Sequence, residues 1–130
     1  MSRAVILALL LLMGGCSSDS ATVEITSDRR FEPSTITIDV GDSVDWVNES
    51  GEPHTITAYQ RSVPDPKNYF ASGEFESEKE ARANVAKGLI VDTSEVSMSF
   101  FVNFNEPGTY EYFCIPHEDQ NMKGTVVVEG

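Results

Sequence analysis

Apolar and polar residues alternate with period two in short runs from Val23 to Val128, and this pattern constrains the fold more than any other feature of the chain. Such alternation turns one face of an extended segment toward a core and the other toward water. Val23 and Ile25 share a face. So do Ile36, Ile38 and Val40, followed by Val44 and Trp46 beyond the turn at Gly41-Asp42. His54, Ile56 and Ala58 make the next stripe, and Val96, Met98, Phe100, Val102 and Phe104 a long one that Pro107-Gly108 ends. Tyr110, Tyr112 and Cys114 fall on one side of the following segment, and Val126 and Val128 finish the chain. About seven short strands between turn signals predict an all-β sandwich or barrel.

From Gln60 to Val91 the pattern changes. Arg61 to Lys67 carries two prolines and reads as loop, whereas Glu74 to Lys87, stopped by Gly88, predicts one short helix. Glu78 stands four residues before Arg82, the favourable order for a helical ion pair. The segment is expected to be a solvated crossover from one sheet to the other.

A chain of 130 residues makes one ordinary domain and is too short for the multi-domain build of large redox enzymes. Its hydrophobic fraction of 40% is enough for a packed core. With 21 acidic against 9 basic residues the net charge is −12, which excludes nucleic-acid binding, since phosphate neutralisation needs a basic face.

The N-terminus reads as an export signal. Arg3 precedes an apolar run of ten residues, Ala4 to Met13, and then come Gly14, Gly15 and Cys16. Ten residues fall short of the roughly 20 that span a hydrocarbon core, but they fit a signal sequence. The small pair before Cys16 resembles a lipoprotein cleavage site, with residues 1–15 removed and Cys16 lipidated. The plainer alternative is a secretory signal with an incidental cysteine. Residues 16–22 then form a polar tether and residues 23–130 the folded domain, with a single free thiol at Cys114.

Four residues carry distinctive chemistry. Cys114 and His117 lie in Tyr-Phe-Cys-Ile-Pro-His, Met122 follows five residues beyond His117, and His54 follows Pro53 at the start of a strand. His54 and His117 are the only histidines in the chain. Each residue alone has an ordinary explanation: a buried small hydrophobe for Cys114, a satisfied histidine, a gap-filling methionine. Together, two imidazoles, a thiolate and a thioether suit copper cycling between two oxidation states, and a trigonal His₂Cys site with a distant methionine is the donor set of blue-copper centres. Zinc is the alternative metal, but thioether is a poor zinc ligand.

With these residues in view, the chain resembles the small type 1 blue-copper cupredoxins of the plastocyanin, amicyanin and halocyanin type. The likeness rests on the Cys114, His117, Met122 spacing and on Pro53-His54. It extends to Phe31-Glu32-Pro33, Gly41-Asp42-Ser43-Val44-Asp45-Trp46, Pro107-Gly108-Thr109-Tyr110 and Met122-Lys123-Gly124. It covers nearly all of residues 23–129, with 60–95 the poor match. It implies a Greek-key β-sandwich whose one helical insertion is short, and one copper ion held at one end by His54, Cys114, His117 and Met122. Backbone donors near Thr55 should shield the thiolate. Electrons would leave through an apolar patch of His117, Pro116, Ile115 and Pro53. Phe113 stands where plastocyanin has a tyrosine, and Thr55 where it commonly has asparagine, which points toward the halocyanin-like, general redox-carrier end of the family.

The expected function is therefore a monomeric, lipid-anchored carrier of single electrons and not an enzyme, facing the periplasm or cell exterior. Its partners would be redox proteins such as cytochromes, membrane redox complexes or copper enzymes. A copper storage or delivery protein is the alternative, but it would need further methionine or histidine near an exposed site, and the other methionines are Met1, Met13 and Met98. A copper oxidase domain needs more histidine ligands than the chain has, and a metal-free adhesion sandwich would make the donor set a coincidence. The acidic surface fits simple solubility, steering toward a basic partner, or adaptation to a salty medium.

Overall fold

The computed structural model describes residues 18–91 and 99–130, so the signal, Cys16, and the start of the Val96 and Met98 stripe lie outside the described residues. Two four-stranded sheets make the expected β-sandwich. One sheet runs in the order β2 (Phe31–Glu32), β1 (Ser20–Ile25), β4 (Ser43–Asn48), β6 (Ser99–Asn103). The other runs β3 (Thr35–Asp39), β8 (Lys123–Glu129), β7 (Gly108–Phe113), β5 (Thr57–Ala58). Both sheets are mixed: β1 runs parallel to β4 and β3 parallel to β8, while the other pairs are antiparallel. Because β1 begins at Ser20, the last residues of the expected tether are already paired, Ser20 with Ser43 and Ala21 with Val44.

The parity of the sequence sets which side chains meet between the sheets. Val23, Ile25, Val44, Trp46, Tyr110, Tyr112, Val126 and Val128 are all buried. Trp46 packs edge-on to Tyr112 at 5.2 Å and stacks on Phe70 at 5.9 Å, so the insertion also contributes to the core. Fully burying one such side chain contributes about 1.5–3 kcal/mol. Val40, expected on the inward face with Ile36 and Ile38, is exposed, because β3 ends at Asp39 and the chain turns. In that turn Gly41 takes φ 95°, and the Asp42 carboxylate accepts the N–H groups of Asp19 and Asp39. Gly124 faces Tyr112 across the β7–β8 pair, and a Cβ there would meet the Tyr112 hydroxyl at 2.3 Å, so only glycine lets the ring lie across the strand.

The single helix expected over 74–87 is instead two short helices, α1 (Glu78–Ala83) and α2 (Val85–Gly88). Ser77 starts α1 by accepting the Glu80 N–H at its hydroxyl, a better N-cap than Glu74, which sits at φ 60°. Asn84 breaks the helix: its side-chain amide donates to Glu80 O, competing with the backbone ladder. The expected Glu78–Arg82 pair forms at 2.9 Å. The segment does cross from β5 in one sheet to β6 in the other, but it is more than a solvated link. Ile90 bridges to His54 and Ala71 to Thr57.

The topology gathers three connections at one end of the sandwich, the β1–β2, β4–β5 and β7–β8 loops. Parallel pairing of Ile25 with Asn48 sets the turn after β1 beside the loop after β4. Pairing of Thr57 and Lys123 with Phe113 brings the entry to β5 and the β7–β8 loop to the same place.

Candidate metal centre

His54 and Cys114 are fully buried and His117 is half-buried, and one donor atom from each lies within 4.8 Å of the others. These residues come from sequence positions up to 63 apart, and each is held by its own local bonds. His54 is fixed by two backbone hydrogen bonds with Ile90, at 3.0 and 2.8 Å. Cys114 ends the β7 run, and its N–H donates to Met122 O at 3.0 Å, closing the loop that carries His117. That loop is a tight 3₁₀ turn, Ile115–Gln120, opened by Pro116 and interrupted at His117, whose ψ of 19° is not helical. Asn121 leaves it in the left-handed region, and Met122 follows with its N–H on His117 O at 3.2 Å. Met122 is buried directly behind this turn.

The protons around His54 prepare its ring. Nε2 lies 3.0 Å from Ser50 Oγ and Nδ1 lies 3.6 Å from Cys114 Sγ. Ser50 has one hydroxyl proton, and it goes to Asn48 Oδ1 at 2.7 Å or Glu52 O at 3.2 Å, while Ser50 Oγ also accepts the Glu52 N–H. With its proton on either of these acceptors, Ser50 Oγ accepts from Nε2–H, the tautomer in which the Nδ1 lone pair faces the sulfur. Burial, with a further push from His117, holds the His54 pKa down at about 4, so the ring is neutral at ordinary pH. Asn48 anchors this arrangement. It is fully buried, and its amide donates to Glu52 O at 2.7 Å and Ile90 O at 3.0 Å.

Around the sulfur the structure meets the expectation of a donor near Thr55. The Thr55 N–H points at Cys114 Sγ from 3.4 Å, and Thr55 Oγ1 accepts the Ile115 N–H at 2.8 Å. Burial pushes the free thiol up, and the Thr55 N–H pulls it partly back. A cationic metal is what such a site needs to hold a thiolate out of water. An ion about 2.0–2.3 Å from three nitrogen and sulfur donors would leave them about 3.5–4 Å apart, which the His54–Cys114 separation matches. The residues present therefore fit a copper ion, with sulfur for the cuprous and imidazole for the cupric state.

Outside the donors, Arg29, Glu52, Pro53, Leu89, Pro116 and His117 line a shallow depression of about 370 Å³. Of the expected exit patch, His117, Pro116 and Pro53 share this surface; Ile115 is half-buried beside them. Phe113 is buried, with Tyr59 stacked on it at 4.2 Å and the Arg82 guanidinium over its ring at 4.5 Å. Sequence reasoning did not find Asn48, Ser50, Arg29 or Arg82. No local pattern around these residues marks them as neighbours of the donors.

Residues 18–129 match the family of copper binding proteins described as the plastocyanin/azurin family. The plastocyanin of Scenedesmus fuscus is 36% identical over 111 residues, which cover 83% of this chain and 98% of that one. The chloroplastic plastocyanin of Tetradesmus obliquus is 33% identical, with 87% of this chain and 70% of that one covered. Among solved structures, a Cu(I) form of an amicyanin variant superposes with a TM-score of 0.58 at 26% identity, covering 85% of this chain and 82% of that one. A donor set assembled by two loops at one end of a β-sandwich and a match over nearly the whole folded region agree: this chain belongs to the plastocyanin/azurin family of copper binding proteins.

Proposed function

We propose that this chain is a lipid-anchored carrier that passes single electrons between redox proteins outside the cytoplasmic membrane, using one copper ion held by His54, Cys114, His117 and Met122. Its family makes it a copper-binding cupredoxin that carries electrons and is not an enzyme. The observation that carries the ligand reading is the set of three donors within 4.8 Å, with His54 Nδ1 facing the Cys114 sulfur at 3.6 Å.

Bound copper supplies one-electron redox chemistry. The residues of the chain do the rest. The Thr55 N–H stabilises negative charge on the sulfur, and Asn48 and Ser50 hold His54 in one orientation. His54, Cys114 and Met122 are buried, so an ion held by them and by His117 would have no open position for a substrate, which a catalytic metal normally keeps. His117 is the donor residue that reaches the surface, in an apolar depression suited to brief encounters with partner proteins. Redox proteins are the partner class; cytochromes, membrane complexes or copper enzymes are the expected kinds. Cys16, after its apolar run, supports membrane attachment by lipid, and no helix among the described residues is long and apolar enough to cross a membrane.

The visible and EPR spectra of the copper-loaded domain test this reading. A strong thiolate-to-copper band with narrow hyperfine splitting is expected, and Cys114→Ser should abolish it because a hydroxyl ionises too poorly to replace a thiolate. A blue Cys114→Ser protein would sink the ligand set.

A further inference from the structure

The loop that carries His117 is held by more than its own backbone. Two arginines from distant elements grip its outer side. Arg29, in the turn after β1, donates Nη1 to Gln120 Oε1 at 3.0 Å, and Nε and Nη2 to the Glu52 carboxylate at 3.1 and 3.3 Å. Arg82, in α1, donates Nη1 and Nη2 to the Glu118 carboxylate at 2.7 and 3.1 Å, and Nε to Glu78 at 2.9 Å. Each guanidinium therefore has one arm on the ligand loop and one on an anchor. Glu52 is two residues before His54. Glu78 accepts the Gln60 N–H just past β5, and Gln60 accepts the Glu78 N–H in return. Arg29 reaches its position from φ 62°, a left-handed conformation that glycine or asparagine would adopt at less cost.

We propose that Arg29 and Arg82 are positioning residues that clasp the Cys114–Met122 loop from two separate elements and hold its donors in place with or without metal. The proposal rests on the reading of His54, Cys114 and His117 as the metal site. The planar fork of arginine is what allows two acceptors to be bound at once, and both anchors are tied to the sheets. Holding the loop in one geometry reduces the rearrangement needed when the charge at the site changes.

Amide hydrogen exchange on the full metal-free chain tests the clasp, reading Cys114, His117 and Met122 against Val44 and Val126 in the strands. Arg29→Ala and Arg82→Ala should each speed exchange of the loop amides about threefold to fivefold, and the double variant about tenfold, with strand amides unchanged. Copper release from the loaded protein to a chelator should quicken in the same order. Arg29→Lys and Arg82→Lys should recover less than half of each effect, because an ammonium cannot bridge the same two acceptors. Arg30→Ala, next to Arg29 but paired with Asp28 alone among the described residues, should match the parent. Parental loop exchange in the double variant would overturn the proposal, as would full recovery with lysine, which would make charge alone responsible. Exchange is read without metal, so a chain that failed to take up copper would sink the functional reading while the clasp was still decided.

Discussion

Thr55 holds Cys114 from two directions: its N–H reaches the sulfur at 3.4 Å, and its hydroxyl accepts the N–H of the next residue, Ile115, at 2.8 Å. A side chain from the His54 loop thus ties the sulfur-bearing end of β7, across 60 residues of sequence. Thr55→Val keeps the shape and the N–H but removes the acceptor, leaving the Ile115 N–H and the Thr57 hydroxyl without their partner. The metal-free protein should lose about 1–3 kcal/mol, seen as a lower urea midpoint at unchanged slope. The blue band should move little, since the N–H to sulfur contact stays. A parental midpoint would mean that water replaces the hydroxyl at no cost.

Met122 lies buried beside the loop that presents Cys114 and His117, with its N–H on His117 O. Met122→Gln exchanges a thioether for an amide oxygen, which favours the cupric state. Copper should be retained and the reduction potential should fall. Voltammetry showing an unchanged or higher potential would count against Met122 as a copper ligand.

His54 makes the metal-free fold sensitive to acid. Burial lowers its pKa from 6.5 to about 4, so the folded state resists protonation that the unfolded chain accepts. Stability from this group is complete above about pH 6.5, falls as the unfolded chain protonates, and is exhausted once pH passes below about 4. The loss across that window is on the order of 3 kcal/mol. His54→Leu should flatten that part of the urea-midpoint profile, and an equally steep profile in the variant would assign the sensitivity elsewhere.

The electron's route should follow exposure. His117 reaches the surface depression, whereas Phe113 is covered by Tyr59 and Arg82 and has no polar handle. Ile115→Glu, which adds a charge beside that depression, should slow exchange with a redox partner on the order of tenfold with little spectral change. Phe113→Leu should slow it only mildly while the fold holds. Stopped-flow mixing with a cytochrome across ionic strength separates encounter from transfer. A silent Ile115→Glu beside a crippling Phe113→Leu would place the exit on the other face.

Cys16→Ser should release the protein from membranes into the soluble exported fraction or block its processing. A single acyl chain binds only marginally, so firm anchoring needs the multiple chains of a lipoprotein. Fractionation after a salt wash reads the result, and tight attachment of the variant would reveal a different anchor.

The amino-acid sequence alone determined most of the strand faces, Val40 excepted, and named the candidate donors. Both are local properties: the parity of Val44 and Trp46 or of Tyr110 and Tyr112 is written in neighbouring positions, and Cys114, His117 and Met122 share one short loop. Only the tertiary structure decided what surrounds the donors. Strand pairing brings Arg29 to Gln120 across 91 residues and Arg82 to Glu118 across 36, and no local pattern marks such meetings. The same holds for Asn48, a polar residue at the end of β4 that is fully buried because its amide completes the bonds of the His54 loop. The break at Asn84 was missed for a related reason, since a side-chain bond to Glu80 O outweighed the helical pattern of its neighbours. Ligand identity is a matter of residue chemistry, while ligand geometry depends on contacts that exist only after the two sheets have packed.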